Sequence, residues 1–410
     1  MKRFLAIMIT IIITVSTCVV SVEASSANVS DFVNAYKQGD FEKVDNIVAK
    51  LPKNAKSYNA KMSSGMKNAY LKKILATNNI EEYYLADLTG DKKPELFIKK
   101  GKSESEYKYY VFKYSKGKTF KMGKFDGGHS YLADYPGQKS VICVFGQMGD
   151  EQISLIQLKN GKTKRTLLNS RDCQNIAYTK VPYKLKSYNC GAYSKFNLSP
   201  FKAKNTKAIK IAKKRLNKIA KRINPVFLNF YPKTKKLTLS KKNKTILATI
   251  SINESNYNSS DNIDGKMIIK KSYIKSEYKN LFGGKPSFGS LSKKSKKHTK
   301  ISIGNEVYRW RKYIVRTLVN KYMGRYLPSS ASYSIYDSML PATAKVECIR
   351  KINGGYRIAV AHYMRGYFEW ESPDDEDVCF AHTLIDVKKN SKSKYKYVIK
   401  KVNSIVYCKH

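Results

Sequence analysis

The chain has 410 residues and a formal net charge of +47, because 78 lysine and arginine residues stand against 31 aspartate and glutamate residues. Its length predicts two or three domains, and its hydrophobic fraction of 42% excludes an intrinsically disordered chain. A charge of this size attracts polyanions, which are nucleic acids inside a cell and wall polymers or anionic lipid headgroups outside it. The lysines are spread along the whole chain, so a general preference for lysine at polar positions explains the composition equally well.

The N-terminus has the order of a secretory signal peptide, which we place at residues 1–24. Lys2 and Arg3 form a positive start, and an apolar run follows. Val22 and Ala24 then occupy the −3 and −1 positions of a small-residue cleavage site. We predict cleavage after Ala24, which removes two basic residues and one acidic residue and leaves a net charge of +46. The mature chain is expected outside the cytoplasmic membrane, either secreted or attached to the cell surface.

The same segment supports two alternatives. Its apolar run is close to the ~20 residues that a membrane-spanning helix needs, so the first is an uncleaved anchor. The second is a lipoprotein attached through Cys18, although Thr17 is bulkier than the small residue that such a site has before its cysteine. Hydroxyl residues in the run and the cleavage site favour the signal peptide. We expect no later segment to span a membrane, because none is apolar enough.

Residues 25–78 are predicted to be helical. Helices are expected at 31–38, 41–51 and 62–76. In the second of these, Phe41, Val44 and Val48 recur at helical spacing, and Asp40 is a suitable N-cap.

Residues 79–190 alternate apolar and polar side chains, which predicts an antiparallel β meander. Strands are expected at 95–99, 108–114, 119–124, 140–145, 152–158 and 164–168. Ser115-Lys116-Gly117 and Asn160-Gly161 are hairpin-turn sequences. Aromatic and basic residues interleave over 107–125 and could stack bases or sugars, but a half-buried strand shows the same alternation, and we favour the structural role. A linker is placed at 191–204.

The most distinctive stretch of the chain is Asp-Leu-Thr-Gly-Asp-Lys-Lys-Pro-Glu-Leu at residues 87–96. Oxygen donors fall at every second position, and a loop that wraps Ca²⁺ needs this alternation for hard ligands to converge from one short segment. A strand follows directly instead of a helix, which excludes an EF-hand. The predicted metal ligands are Asp87, Thr89, Asp91, the carbonyl of Lys93, and Glu95.

This stretch resembles the Asp-x-Asn-Gly-Asp-Gly-x-Pro-Glu-Leu loops of FG-GAP-like repeats. It is similar above all to the single such loop of many uncharacterised secreted proteins of low-GC Gram-positive bacteria. In those proteins a helix ending in polar residues leads into Tyr-x-x-x-Asp, which Tyr83 or Tyr84 and Asp87 match here. The resemblance covers roughly residues 65–170, and it implies no activity.

Two positions depart from that pattern. Thr89 replaces a stronger ligand, and Lys92 replaces a glycine that eases the turn. Lys92 and Lys93 also bring positive charge close to the expected cation. The alternative to a calcium site is a polar turn closed by its own side-chain hydrogen bonds.

Residues 205–300 are predicted to form a helix, β hairpins and a basic loop. The helix is expected at 205–223, where Ala212, Leu216 and Ile219 share one face. Lysines on its opposite face could lie on an anionic membrane, but we expect them to face solvent. Strands are predicted at 227–230, 236–239 and 246–252, followed by a polar loop over 253–300 with a basic tract at 293–300.

Residues 301–410 are predicted to form a helix plus an antiparallel sheet. The expected elements are a helix at 307–322 and strands at 344–351, 356–369, 378–387 and 396–407. Asn353-Gly354 joins the first two strands. The predicted fold class is therefore α+β: a helical N-terminus plus an antiparallel β meander, then a second helix-plus-antiparallel-sheet module.

An acidic island interrupts the basic chain near its C-terminus. Its members are Glu369, Glu371, Asp374, Asp375, Glu376 and Asp377. Glu369 and Glu371 would share one face of a strand, as the paired carboxylates of a glycosidase must face one substrate. An exposed turn paired to nearby lysines is the simpler interpretation, and we favour it.

Cys379 and His382 lie three residues apart in a predicted strand, so we expect them on opposite faces of the sheet. His362 on the neighbouring strand could approach one of them, which would allow a metal site or a Cys-His nucleophile. A half-buried strand cysteine is the ordinary alternative. No Gly-x-Ser-x-Gly or His-Glu-x-x-His motif occurs, and the catalytic residues, if any, are unknown.

Cysteines are divided equally between the two halves of the mature chain. They are Cys143, Cys173, Cys190, Cys348, Cys379 and Cys408. Export permits disulfides, so complete pairing would require one bridge between the halves, and pairing within each half would leave one thiol in each. No Cys-x-x-Cys pair occurs, so a structural zinc site is not expected.

Three functions are compatible with the sequence. The first is a non-enzymatic cell-surface or wall-associated protein, whose partner is an anionic cell-wall polymer or a membrane surface. The second is a secreted hydrolase of polysaccharide with the acidic island in its site. The third is an extracellular nucleic-acid binder, which we consider the least suitable for an exported chain. The sequence does not determine the oligomeric state.

Overall fold

A computed structural model gives the fold. It describes residues 29–50, 62–135, 138–179, 181, 183–190, 196–223, 240–252, 268–288, 300–302, 343–364 and 378–407. The chain divides into two compact units, the first from residues 1–70 and 79–189 and the second from 71–78 and 190–410. The fold is α+β, as predicted, with one five-stranded and two four-stranded antiparallel sheets and a two-stranded ladder among the described residues.

The three predicted N-terminal helices are confirmed. They are α1 (29–38), α2 (Phe41–Lys50) and α3 (Ser64–Ile74). Asp40 caps α2, because its Oδ1 accepts a hydrogen bond from the Lys43 N–H at 3.1 Å. Ser63 caps α3 in the same way, and its Oγ accepts from the Met66 N–H at 3.2 Å.

The strands predicted between residues 95 and 168 are also confirmed. The strands of the first unit are β1 (Ile80–Ala86), β2 (Glu95–Lys100), β3 (Lys108–Ser115), β4 (Lys118–Asp126), β5 (Ser130–Asp134), β6 (Ser140–Gln147), β7 (Asp150–Lys159), β8 (Lys162–Asp172) and β9 (Tyr188–Asn189). Strands β1, β5 and the two-residue β9 were not predicted. In β1 the pairs Glu81-Glu82 and Tyr83-Tyr84 break the period-two pattern, and the strand absorbs the irregularity by a register shift between Ile80 and Glu82.

The two sheets of the first unit pack against each other. Their strand orders are β4-β3-β2-β1-β9 and β5-β6-β7-β8. One core contains inward side chains of both sheets, among them Tyr84, Phe97, Val111, Leu132, Val141 and Ile156. The other face of the second sheet carries Ile142 and Val144, which pack with Phe32 and Tyr36 of α1. Alternate residues of β6 therefore serve two different cores.

The amphipathic helix of the second unit is confirmed as α4 (Lys207–Ala220). Thr206 caps it, because its Oγ1 accepts from the Ile209 N–H at 3.3 Å. Leu216 and Ile219 are fully buried in the core of the second unit.

The strand predicted at 246–252 is wrong, because these residues belong to or directly follow helix α5 (Lys241–Ile250). Its β-branched residues suggested a strand. The threonine hydroxyls instead bond back along the helix: Thr245 Oγ1 donates to the Lys241 carbonyl at 2.8 Å, and Thr249 Oγ1 to the Thr245 carbonyl at 2.7 Å. The buried positions Thr245, Ala248 and Thr249 recur at helical spacing.

The loop predicted over 253–300 contains a second helix, α6 (Lys271–Phe282), so that prediction is wrong there. Ile274, Tyr278 and Leu281 are buried at helical spacing, and this is the sequence signal that could have revealed the helix. Among the described residues of this region, the only paired strands are β10 (Ile268–Lys270) and β11 (Lys300–Ser302), which form an antiparallel ladder.

The C-terminal sheet follows the prediction. Its strands, in spatial order, are β12 (Thr343–Ile352), β13 (Gly355–Met364), β14 (Val378–Lys389) and β15 (Tyr397–Tyr407). Val346, Val360 and Ile385 lie on its helix-side face and form a core with α4. Cys348, Ala359 and Ala361 lie on the opposite face, which we call the second face.

Among the described residues, no helix is both long and apolar enough to cross a membrane. The predicted signal peptide at 1–24, the strands at 227–230 and 236–239 and the helix at 307–322 lie outside the described residues.

Candidate functional site

The predicted calcium loop joins β1 to β2, and one carboxylate holds its backbone. Asp87 Oδ1 accepts hydrogen bonds from the N–H groups of Thr89 at 3.1 Å and Gly90 at 2.7 Å. Asp87 Oδ2 accepts from the Lys92 N–H at 2.7 Å. Gly90 and Lys92 adopt left-handed backbone conformations, with φ of 73° and 59°, so Lys92 is strained where a glycine would not be. These contacts are those of a polar turn.

Glu95 is the first residue of β2 and is only 1% exposed. Its Oε2 accepts from the Leu88 N–H at 2.8 Å, and its Oε1 accepts from Thr89 Oγ1 at 3.3 Å. Burial raises the pKa of Glu95 to about 7, and the negative charges of Asp91 and Asp87 add to the rise. Burial likewise raises the pKa of Asp134, at the end of β5, to about 6, with a further contribution from Asp87. The charge of Asp87 therefore disfavours ionisation of two buried carboxyls, Glu95 and Asp134.

Asp91 faces two cations of the chain. Its Oδ2 lies 3.8 Å from Lys93 Nζ and 3.7 Å from Lys113 Nζ, and its Oδ1 accepts from the Lys93 N–H at 3.0 Å. The hard oxygens suit Ca²⁺ in kind, but Asp91 would have to leave two lysines to reach it. Within the described residues, no group of three or more His, Cys, Asp or Glu side chains is arranged to hold a metal ion. Calcium binding stays a prediction.

The first unit brings together two lysine-bearing strands that are far apart in the sequence. Strands β4 and β8 are edge strands of different sheets, and they meet where Gly123 lies so close to Thr163 that a Cβ atom at Gly123 would overlap the Thr163 hydroxyl. The exposed lysines of the two strands, which we call the basic edge, are Lys118, Lys121, Lys124, Lys162 and Lys164. None of them forms an ion pair within the described part of the chain, whereas Lys108 and Lys113 of β3 do.

Two ammonium groups converge on one ring beside the basic edge. Lys100 Nζ lies 5.1 Å and Lys121 Nζ 5.0 Å from the centroid of Tyr110. Each such contact contributes about 0.5–1 kcal/mol at an exposed site. The two charges repel each other, and an anion bound between them would relieve this repulsion.

The prediction that Cys379 and His382 point to opposite faces is wrong, because a β-bulge intervenes. Cys379 pairs with Tyr363 and Ala381 pairs with His362, so Phe380 has no partner residue in β13. The extra residue turns Cys379 to the second face, which His382 also occupies through its pairing with Ala361. Cys379 Sγ lies 3.9 Å from His382 Nδ1 and 3.8 Å from His382 Nε2.

Glu347 completes this group, and sequence reasoning missed it. Its Oε2 lies 3.1 Å from His382 Nε2, and its Oε1 accepts from the Tyr363 hydroxyl at 3.3 Å. Glu347 is itself the extra residue of a bulge, because Val346 pairs with Val360 and Cys348 with Ala359. Apolar residues on one face of a regular strand recur every second residue, but Val346 and Ile349 lie three residues apart. This spacing is the sequence signal of the bulge.

The two buried histidines of the sheet are electrostatically unlike. Burial alone would lower the pKa of His382, but the Cys379 sulfur and the Glu347 carboxylate outweigh it and raise the pKa to about 9. Burial lowers the pKa of His362 to about 3, and His382 adds to the fall. His362 lies on the helix-side face with Thr383, and its Nε2 is 2.9 Å from Thr383 Oγ1. The expected approach of His362 to the Cys-His pair is therefore not seen.

Three of the other cysteines are buried thiols without a disulfide: Cys143, Cys173 and Cys348. Burial raises the pKa of Cys143 to about 11 and that of Cys348 to about 12, so both stay protonated at neutral pH. Cys408 lies outside the described residues, as do the whole acidic island and the basic tract from 293 to 299.

Comparisons of the chain with protein-family models, with curated proteins and with solved structures found no match.

Proposed function

We propose that the chain is a secreted, non-enzymatic protein that binds anionic polymers of the cell envelope through its charge. The signal sequence supports export, with cleavage after Ala24. The observation that carries the proposal is the basic edge, where five exposed lysines on two adjoining edge strands have no carboxylate partner in the described residues.

The free energy for such binding comes from released counter-ions. With 78 basic and 31 acidic residues, internal ion pairs cannot neutralise the chain, so small anions must surround it. A polyanion replaces them with a gain in entropy. Phe120, which is 48% exposed on β4, adds an apolar surface beside the lysines on which a sugar ring can rest.

The experiment is co-sedimentation of the mature chain with purified wall sacculi across a salt series. We expect binding at low salt that falls steeply towards ~0.15 M, where the Debye length is ~8 Å. Sacculi stripped of teichoic acid should bind much less. No binding at low salt contradicts the proposal, and binding that survives ~1 M salt indicates a specific pocket instead of charge.

A pair of matched variants tests the basic edge. The first changes Lys118, Lys121 and Lys124 to Gln, and the control changes Lys72, Lys285 and Lys351 to Gln, which are also exposed and lie in three separate parts of the chain. Both remove three positive charges. We expect the first to weaken binding by ~10-fold at intermediate salt and the control by less, because charges concentrated on adjoining strands hold a polyanion better than scattered ones. Equal losses would mean that only the net charge matters.

Two further arms separate the alternative functions. Duplex DNA at matched salt and phosphate concentration should bind no more tightly than the wall polymer, and clearly tighter binding favours the nucleic-acid alternative. Release of soluble reducing sugar from the sacculi during incubation would favour a hydrolase. The binding proposal expects neither.

We also propose that Ca²⁺ stabilises the loop at 87–95. Glu95 supports this, because a buried carboxylate among other carboxylates gains most from a cation. We expect added Ca²⁺ to raise the urea midpoint of the native chain near neutral pH by mass action, and chelation to reverse it. Glu95→Gln should abolish the response, while Asp126→Asn, an exposed acidic residue elsewhere on the same sheet, should keep it. No response in the native chain would leave the polar turn as the role of the loop.

A further inference from the structure

We propose that Cys379, His382 and Glu347 form a second functional site, in which Cys379 is a nucleophile that accepts an acyl group from a small uncharged ester. The site lies on the second face of the C-terminal sheet and is independent of the basic edge.

The three side chains stand in the order that nucleophilic catalysis requires. Cys379 Sγ lies 3.9 Å from His382 Nδ1 and 3.8 Å from Nε2. Glu347 Oε2 is 3.1 Å from Nε2, so Nδ1 is the ring nitrogen left to exchange a proton with the sulfur. A thiol, a base and a carboxylate that orients the base form the common arrangement of acyl-transfer enzymes. Cys379 touches the substrate in this scheme, His382 moves its proton, and Glu347 is a positioning residue.

Two bulges make this arrangement, and both act towards the same face. Without the extra residue at Phe380, Cys379 and His382 would lie on opposite faces, and Glu347 is the extra residue of the bulge in β12. Bulges are frequent beside active sites because they redirect side chains that a regular strand would separate. A buried imidazole that served packing alone would gain nothing from two such irregularities.

The surroundings determine the class of substrate. The Phe196 ring stacks on the His382 imidazole with centroids 4.5 Å apart, and Ala361, Tyr363 and Cys379 form a buried apolar cluster. An uncharged substrate loses the least hydration beside these apolar groups. Cys379 is 6% exposed, so only a small group reaches the sulfur without movement of its neighbours.

The chemical step balances without any further reactant. His382 holds the proton of the Cys379 thiol, so the two side chains form a thiolate–imidazolium pair, and the thiolate adds to the carbonyl carbon of the ester. The carbon–oxygen bond to the alcohol then breaks, its electron pair stays on the oxygen, and the proton held by His382 passes to that oxygen. The products are an alcohol and S-acyl Cys379. The charges of Glu347 and of the thiolate favour the protonated imidazole that this step needs.

The test uses the intact mature chain and p-nitrophenyl acetate at about pH 6, where lysines and ordinary thiols are protonated. We expect one acetyl group per chain on Cys379 by peptide mass spectrometry, and its removal by neutral hydroxylamine, which cleaves thioesters but not acetyl-lysine. Cys379→Ser should lose this acetyl group. Cys348→Ser is the matched control, since Cys348 is a buried thiol of the same sheet, and it should react as the native chain does.

The role of Glu347 is tested by the pH profile of acetylation. In Glu347→Gln the midpoint of the rate should move down by ~1 pH unit or more, because the carboxylate that raises the pKa of the His382 imidazole is gone. A merely structural Glu347 would leave the midpoint of the folded variant in place. Acetyl groups found on lysines alone, or equally on Cys348 and Cys379, would overturn the proposal. The circular dichroism spectrum of each variant shows whether it has folded.

Discussion

Two buried glutamates, one in each unit, are held in opposite ways. Glu277 of α6 is 5% exposed and accepts from Lys394 Nζ at 2.7 Å and from the Tyr395 hydroxyl at 2.8 Å. Glu95 is 1% exposed and has no ion pair within the described residues. Its neighbours include the carboxylates of Asp87 and Asp91, which add to the rise of its pKa.

The difference shows which of the two carboxylates has its negative charge compensated within the chain. Glu277 links α6 to the β14–β15 turn with a cation and a hydroxyl, and nothing further is needed for its charge. Glu95 has no ion pair within the described residues, and burial raises its pKa more than Lys113 lowers it, so it carries a proton near neutral pH or needs a further cation from outside. A buried charge without compensation is costly, which makes Glu95 the more informative residue for function.

The largest expected effect on stability comes from removing Glu277. Glu277→Ala leaves Lys394 and the buried Tyr395 hydroxyl without their acceptor, and we expect the free energy of unfolding to fall by about 2–4 kcal/mol. Urea denaturation followed by circular dichroism measures the change. Lys394→Met removes the cation from a half-exposed position and should cost clearly less. An equal cost for both variants would show that the ion pair, and not the burial of Glu277, dominates.

The next effect separates two aspartates of the loop. Asp87→Ala frees three backbone N–H groups and should lower the free energy of unfolding by about 1–3 kcal/mol. Asp91→Ala breaks ion pairs with half-exposed lysines and should cost no more than about 0.5–1 kcal/mol. Thermal melts of both variants without calcium test this order. The opposite order would indicate that Asp91, and not Asp87, organises the turn.

Glu95→Gln tests whether the uncompensated carboxyl of Glu95 makes the stability of the chain depend on pH. Because the folded-state pKa of Glu95 is about 7 and the ordinary value is 4.5, the folded chain binds the extra proton between these values. The free energy of unfolding contributed by Glu95 is therefore fully present below about pH 4.5 and falls as the pH rises to about 7.

In Glu95→Gln the side chain is neutral at every pH, so the free energy of unfolding does not fall as the pH rises to about 7. We expect Glu95→Gln to be more stable than the native chain by about 1–2 kcal/mol near pH 8 and indistinguishable from it near pH 4.5. Urea titrations at the two pH values, without calcium, provide the measurement. A variant that is less stable at both values would mean that the carboxylate is satisfied as an anion.

The smallest effects concern the hydroxyl partners of the two glutamates. Tyr395→Phe removes a 2.8 Å hydrogen bond to Glu277, and Thr89→Val removes a 3.3 Å hydrogen bond to Glu95. We expect losses of about 1–1.5 and about 0.5 kcal/mol respectively. Chemical denaturation of the pair decides the order, and a larger loss for Thr89→Val would show that the Glu95 site depends on that hydroxyl.

The fold was readable from the sequence wherever periodicity was regular. The apolar stripe of α4 and the alternation in β6 and β7 gave the right elements because burial imposes those periods. Helix α5 was misread because Thr245 and Thr249 are typical strand residues, and only their bonds to the preceding turn reveal how the helix accommodates them.

The candidate sites were harder to predict from the sequence than the fold, and for different reasons. The Cys379–His382 contact depends on one unpaired residue, which shifts every side chain before it to the other face and leaves no mark in composition. The basic edge depends on β4 and β8 being neighbours, although some 40 residues separate their lysines in the chain. Sequence spacing predicts contacts within one element, while both sites arise from how elements are paired.

The lysines of the basic edge have one more consequence, for the behaviour of the protein in concentrated solution. Edge strands offer unpaired backbone groups to any other strand, and lysines on such strands are a common obstacle to that pairing. Like charges on two approaching molecules would have to be brought together before β4 or β8 could extend a neighbour's sheet. The lysines therefore disfavour self-association through β4 and β8, and neutralising them should increase aggregation even where the fold is unchanged.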